Sequence, residues 1–250
     1  MAAEGVYVYA IVRAAVAPPS DVGGVGSPPA PLRSIRRGKV AAVVSEAPPK
    51  LRARRRDLLA HQDLLQRLAE DGPVLPMRFG VVAPDEESVR RQLARAEGEH
   101  VAALERLSGG VEVNMKAFPA QSGLSSLIAE DRNVRHLRDE ARRRPGYEAS
   151  LRLGEAVAAA LAARAAAAGR RILRELTPLA REVATGPDVQ GCTLNVSFLV
   201  DRREQERFRA RAQRFADAHR DHVELRLAGP LPCYSFVTAE SCPSQTAAGV

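Results

Sequence analysis

GPVLPMRFGVVAPDEE, residues 72–87, is the stretch on which the fold turns. Gly72-Pro73 stops a preceding helix, because proline has no N–H to donate and disfavours helical backbone in the residue before it. The apolar run from Val74 to Val82 reads as a β-strand. Asp85, with Glu86 and Glu87 behind it, starts a new helix, since acids cap free amides and suit the positive end of the helix dipole. If the strand alternates, Leu75, Met77, Phe79 and Val81 face the helices and Pro76, Arg78 and Gly80 the opposite side. Pro76 favours an edge or bulge, Gly80 permits close backbone approach, and Arg78 offers a guanidinium to a carboxylate or carbonyl. Pro76, Arg78 and Gly80 are therefore candidate partner contacts. The competing reading pairs Arg78 with an acid of the second half, holding the halves together.

Working outward, VYVYAIV (6–12) alternates as a strand, with Tyr7 and Tyr9 as candidate contacts. A Pro/Gly-rich loop covers 17–31, and LRSIR and VAAVVSEA flank a turn at Arg37-Gly38-Lys39. Leu58, His61, Leu65 and Leu68 stripe a helix over 54–70, in which His61 is read as a hydrogen-bonded core or interface histidine. The helix after Asp85 carries Val89, Leu93, Ala96, His100, Leu104 and Leu107 up to Gly109-Gly110, and VEVNMKAF (111–118) is a strand that includes Lys116. The order β-ββ-α-β-α-β predicts a ferredoxin-like antiparallel sheet with helices on one face, over residues 1–120.

Residues 121–237 form a second, helix-rich lobe with a small sheet. Leu124, Leu127, Ile128, Val134 and Leu137 stripe its first helical part, and an Ala-rich helix is predicted over about 147–184, with Ile172, Leu176, Leu179 and Val183 on its face. Pro178 kinks that helix or begins another. TLNVSFLV (193–200) alternates as a strand, Phe208, Ala212, Phe215 and His219 mark a helix, and VELRLA (223–228) is a strand. In GPLPCYSF (229–236), Gly229-Pro230 turns the chain and Pro232 blocks regular pairing, so Tyr234 and Phe236 sit in an extended edge segment finishing the second core. Residues 238–250, small and polar, are expected to be a disordered tail.

Composition narrows the function. The 250 residues, 45% hydrophobic, suffice to bury about 70% of the unfolded surface. The net charge of +7 invites nucleic acid or an acidic partner, but acids interleave with the arginines, which marks solvated helix faces. Cys192, Cys233 and Cys242 have neither disulfide-framework nor zinc spacing, which fits a reducing cytoplasm. No signal peptide and no bilayer-spanning run is read. No histidine neighbours Cys192 or Cys233 in sequence, and an inert thiol is expected. His219 and His222, with Asp217 and Asp221 nearby, lack a third and fourth metal ligand. No phosphate loop, nucleophile elbow, zinc-protease or dinucleotide motif appears. Catalysis, cofactor and metal are therefore not expected.

Three strings in register resemble the gas vesicle proteins of the F/L type, over about residues 5–237. They are the Tyr7/Tyr9 strand; His61 shortly before Leu75, Pro76, Arg78, Phe79, Gly80 and Val82; and Gly229, Pro230, Pro232, Tyr234, Ser235 and Phe236. Leu231 stands where the family usually has Trp, and Cys233 where it has a second Pro. The resemblance implies two ferredoxin-like lobes, the second modified, and a non-enzymatic accessory role in gas vesicles in the cytoplasm. It implies as partners the small hydrophobic shell protein and other gas vesicle proteins, with no membrane and no nucleic acid. The rival is a nucleic-acid-binding module, with Tyr7 or Tyr9, Arg78 and Lys116 on an RRM-like sheet.

Overall fold

The computed structural model describes residues 5–49 and 51–237, so the tail beyond 237, with Cys242, lies outside the described residues. The chain divides into two compact units: Met1–Glu112 with Pro230–Val250, and Val113–Gly229. The class is α+β with two antiparallel sheets, as the alternating and 3.6-residue patterns require.

The sheet of the first unit is built on β1 (Val6–Arg13), β2 (Arg33–Arg37) and β3 (Val40–Glu46), in the order β2-β3-β1. A register shift between Val8 and Ala10 leaves Tyr9 as an extra, bulged residue on β1. The bulge reverses the alternation, so Tyr7, Tyr9, Ala10 and Val12 all join one core with Ala41 and Val43 of β3. Helix α1 (Arg55–Asp71) closes that face through Leu64, Leu65 and Leu68. Leu58, expected on the buried stripe, is exposed, and Leu64 takes its place.

The strand predicted over 74–82 is not one ladder. β4 (Leu75–Pro76) pairs with Ile11 and Ala10, and β5 (Val82–Ala83) pairs with Tyr7 and Val6. Between them, opposite the Tyr9 bulge, residues 77–81 arch away, held at the ends by Met77 N–H to Tyr9 O (2.8 Å) and Val8 N–H to Val81 O (3.0 Å). Pro76 contributes no donor and Gly80 takes φ of +90°, so the ladder has no means of continuing through the arch.

Helices α2 (Glu86–Arg95) and α3 (Glu97–Leu107) pack against the same strands. Asp85 caps α2 as expected, its carboxylate accepting from Ser88 N–H at 2.6 Å, but the predicted continuous helix breaks at Ala96. Val8, Ile11, Ala42 and Val44, which alternate away from the α1 face, are buried too. Both faces of the central strands are therefore covered, and among the described residues there is no open sheet face of the kind expected to carry Arg78.

β6 (Gly110–Pro119) runs from the first unit into the second. There the sheet order is β7-β8-β6-β9, with β7 (Glu182–Thr185), β8 (Leu194–Asp201) and β9 (Val223–Leu231). Its core joins Val113, Met115, Val196, Phe198 and Val200 to Ala165, Ile172 and Leu176 of α6 (Tyr147–Leu176) and Phe208 and Phe215 of α7 (Gln205–Ala218). The Ala-rich helix ends at Leu176, not near 184: Pro178 lies in a 3₁₀ turn and Val183 on the edge strand β7. Helices α4 (Leu124–Glu130) and α5 (Arg132–Arg143) precede α6, with Asp131 capping α5.

Candidate functional site

The scattered motifs of the sequence meet at one place in the first unit. His61, buried on α1, lies between Tyr7 of β1 and the 77–81 arch. The Met77 carbonyl can only accept, so Nε2 of His61 carries the proton that it donates across 3.0 Å. Nδ1 is then an acceptor, and the Tyr7 hydroxyl donates to it at 3.0 Å. That hydroxyl in turn accepts the Gly80 N–H at 3.0 Å, an approach that the positive φ of Gly80 makes possible. Beside this chain runs a second: Val25 N–H donates to the Tyr9 hydroxyl at 2.7 Å, which donates to Ser45 Oγ at 2.8 Å, which donates to the Glu46 carbonyl at 3.0 Å. A side chain at Gly24 would strike the Tyr9 hydroxyl. Phe79 closes the cluster edge-on to Tyr7 and His61, with centroids 6.0 and 5.7 Å away.

The C-terminal string reaches the same cluster. Gly229, Pro230 and Leu231 end β9, and Tyr234–Phe236 form a 3₁₀ turn in the first unit, not an edge strand of the second core. Pro232, without an N–H, ends the ladder there. The Tyr234 hydroxyl lies 3.4 Å from His61 Nε2. Glu112, buried at the end of the first unit, accepts Ser235 N–H at 2.9 Å and Ser235 Oγ–H at 2.7 Å. Arg106 of α3 donates to the Phe236 carbonyl at 2.6 Å, and Cys233 and Phe236 are buried.

Electrostatics keep the cluster neutral. Burial raises the Tyr7 and Tyr9 phenols above the ordinary value and pushes Tyr234 up to about 12, the last helped by the Glu112 charge. Burial lowers His61, with the Met77 carbonyl partly opposing the shift. Its proton acceptor is already taken by Tyr7, so the arrangement fixes the arch and the C-terminal turn in place. A folded-state pKa below the unfolded 6.5 means the unfolded chain binds the proton first. The histidine's contribution is therefore complete above pH 6.5 and lost as pH falls through the lowered value. Urea titrations across this range should show wild-type stability falling towards acid, with the slope reduced in His61→Gln. An unchanged slope would contradict the assignment.

Of the predicted contacts, Tyr7, Tyr9 and Pro76 are buried and offer nothing to a partner. Leu75 and Met77 are core residues. An RRM-like platform needs its aromatics exposed, so the rival loses its stacking surface. Arg78 and Gly80 are exposed at the arch, and among the described residues Arg78 makes no hydrogen bond or ion pair. Lys116 is half-buried in the second unit. The sequence reading missed Glu112, Arg106 and Ser45; a lone Glu in an apolar strand was the one available signal.

Elsewhere, His219 Nδ1 donates to the Phe215 carbonyl at 3.0 Å and stacks on that ring at 4.0 Å. Among the described residues no three His, Cys, Asp or Glu side chains could hold a metal ion. The Cys192 thiol donates to the Leu194 carbonyl. Among the described residues no helix is long and apolar enough to cross a membrane.

Two antiparallel sheets, and signature residues gathered into a buried hub beside the exposed Arg78, which has no partner among the described residues, define an α+β protein with a fixed surface arch. The chain matches the family of gas vesicle synthesis proteins GvpL/GvpF over residues 5–238, and belongs to it. It is 40% identical to gas vesicle protein F of Streptomyces sp. (strain CB03234), covering 92% of this chain and 98% of that one. Gas vesicle protein L of the same strain is 33% identical, covering 92% and 91%. The crystal structure of GvpF from Anabaena sp. PCC7120 shares the fold, with a TM-score of 0.74 at 23% identity, over 93% of this chain and 98% of that one. GvpF from Microcystis aeruginosa gives 0.71 at 22%, with the same coverage.

Proposed function

We propose that this chain is a non-enzymatic, F-type accessory protein of gas vesicle assembly, acting in the cytoplasm and binding the small hydrophobic shell protein and other gas vesicle proteins. The higher identity to protein F than to protein L of one strain supports the type. The contact is the 77–81 arch. The observation that carries it is Arg78: exposed and unpartnered among the described residues, on an arch whose neighbours are locked by His61 and Tyr7. Its fixed base spares a partner the entropy of ordering the loop, and its guanidinium suits a carboxylate or a carbonyl. A shell protein with a hydrophobic face must be covered before assembly, and an accessory protein that docks on it does so by ordinary interface burial.

The test is capture of the shell protein by the purified chain, at low and high salt, with unrelated RNA as competitor. Arg78→Ala is expected to weaken capture about tenfold. Its thermal midpoint should stay within about 2 °C of wild type. Strong salt-dependent RNA binding in place of shell-protein capture would reject the proposal and revive the nucleic-acid reading.

A further inference from the structure

The sheet of the first unit has two edges, and they are finished differently. At one, β4 and β5 flank the arch; at the other lies β2, which pairs only with β3 among the described residues. The register decides which backbone groups β2 leaves over. Just before β3 the Lys39 carbonyl accepts Ala14 N–H at 2.9 Å, and just after it Ala47 N–H donates to the Gly5 carbonyl at 2.8 Å. The odd residues of β3 therefore point their backbone groups at β1, and Val40, Ala42 and Val44 point theirs at β2. Those three sit opposite Arg37, Ile35 and Arg33, whose amides and carbonyls complete the ladder. Ser34 and Arg36 turn theirs the other way, off the sheet, and nothing among the described residues bonds to them.

The chain does not seal this edge. Ser34 and Arg36 line a groove of about 640 Å³ with Pro18, Pro19, Pro29 and Pro31 of the long loop. Prolines have no N–H to offer, so that wall cannot act as a pairing strand. The Ser34 hydroxyl oxygen is shielded from water and has no hydrogen-bond partner, a costly state that an added strand relieves by supplying one.

Charge selects what fits. Arg36 and Arg37 are exposed without an ion partner among the described residues, whereas Arg33 holds Glu86 of α2 at 3.0 Å. Successive strand residues alternate in face, so Arg36 stands on one side of the edge and Arg37 on the other. The acid in the groove lining, Asp21, lies 3.8 Å from Arg67, and the Glu97 carboxylate at the turn accepts Lys39 N–H. Two copies laid edge to edge would set the arginines against each other, which disfavours a second copy. A segment bearing carboxylates is attracted on both faces.

We propose that the outer edge of β2 is a strand-addition site that takes an extended acidic segment of a partner protein as a further strand of the sheet. The Ser34 and Arg36 backbone sets its register, and Arg36 and Arg37 give the preference for carboxylates. The site lies across the sheet from the arch and stands whichever partner Arg78 takes.

Fluorescence polarisation with a labelled octapeptide of alternating glutamate and valine tests it, against a lysine–valine octapeptide. The acidic peptide is expected to bind, and the basic one at least about tenfold more weakly. Arg36→Pro removes an outward N–H that the ladder never uses, where an edge strand tolerates proline. It should keep its thermal midpoint within about 2 °C of wild type and lose at least about tenfold in affinity, more than Arg36→Ala, which keeps the N–H. In the unmutated chain, saturating peptide should slow amide exchange at Ser34 and Arg36 at least about tenfold and leave Ile35, already bonded, unchanged. No binding of the acidic peptide up to about 1 mM, equal binding of the basic one, or binding that leaves exchange at Ser34 and Arg36 unchanged overturns the assignment. So does a dimer of the chain that the peptide has to displace.

Discussion

His61→Ala is expected to remove about 4 kcal/mol from the stability of the first unit. The loss has three parts. The Met77 carbonyl loses its donor and the Tyr7 hydroxyl its acceptor, both inside the core, and each unsatisfied buried group costs about 1–3 kcal/mol. The imidazole also leaves a cavity between two tyrosines and Phe79. Thermal unfolding should show the first unit's transition falling by about 10 °C. His61→Phe separates the parts, because it restores most of the volume and neither hydrogen bond. It should recover about a third of the loss, and combined with Tyr7→Phe it should cost less than the two changes summed, since the first removes the partner the second would orphan. A His61→Ala protein within about 1 kcal/mol of wild type would show that the hub does not hold the arch.

Why the hub was invisible in the sequence while much of the fold was legible has a physical explanation. Alternation in TLNVSFLV and the Asp85 start are local signals, and both elements formed where they were expected. Local signals fail where one residue is added or a ladder is interrupted. Tyr9 bulges out of register, so a strand read as alternating buries both its tyrosines beside Ala10 and Val12. The partner strand then has an arch where a continuous ladder was predicted. Val183 continued a helical stripe on paper, yet Pro178 ends the helix and the next residues pair as an edge strand. The contacts of the hub join residues 54, 73 and 173 positions apart, and no spacing rule encodes such separations. His61 was nonetheless read as a hydrogen-bonded histidine from its place on an apolar stripe, which is what it is.

The same hub supplies a mechanical basis for the proposed accessory role. An exposed arginine on a mobile loop would pay ordering entropy on binding; one on an arch tied at Met77 and Gly80 has little left to lose. On the proposed reading, stability of the hub and affinity of the arch are linked. Variants that loosen His61 should weaken partner capture without touching Arg78.

Glu112→Ala carries the second large effect. This carboxylate, 3% exposed, accepts both the amide and the hydroxyl of Ser235, and hydrogen bonds to a charged group contribute about 1.5–3 kcal/mol each. Without it the Ser235 amide either stays buried without its acceptor or the turn leaves its seat. Release costs less, so the Tyr234–Phe236 turn should open, exposing Phe236 and the Cys233 thiol. A local opening made easier by about 2.8 kcal/mol should speed thiol labelling at Cys233 about a hundredfold, read by mass spectrometry of its peptide. Glu112→Gln should be milder, because its carbonyl oxygen can still accept the Ser235 amide while its NH2 donates to the Ser235 hydroxyl, so that only the charge assistance is lost. Ser235→Ala removes the hydroxyl bond and keeps the amide bond, so its acceleration should be about tenfold. Tyr234, freed from burial and from the neighbouring charge, should titrate below its native value of about 12. Unchanged Cys233 labelling in Glu112→Ala would mean that the arginine bond to the Phe236 carbonyl and the apolar seat of the turn suffice without the carboxylate.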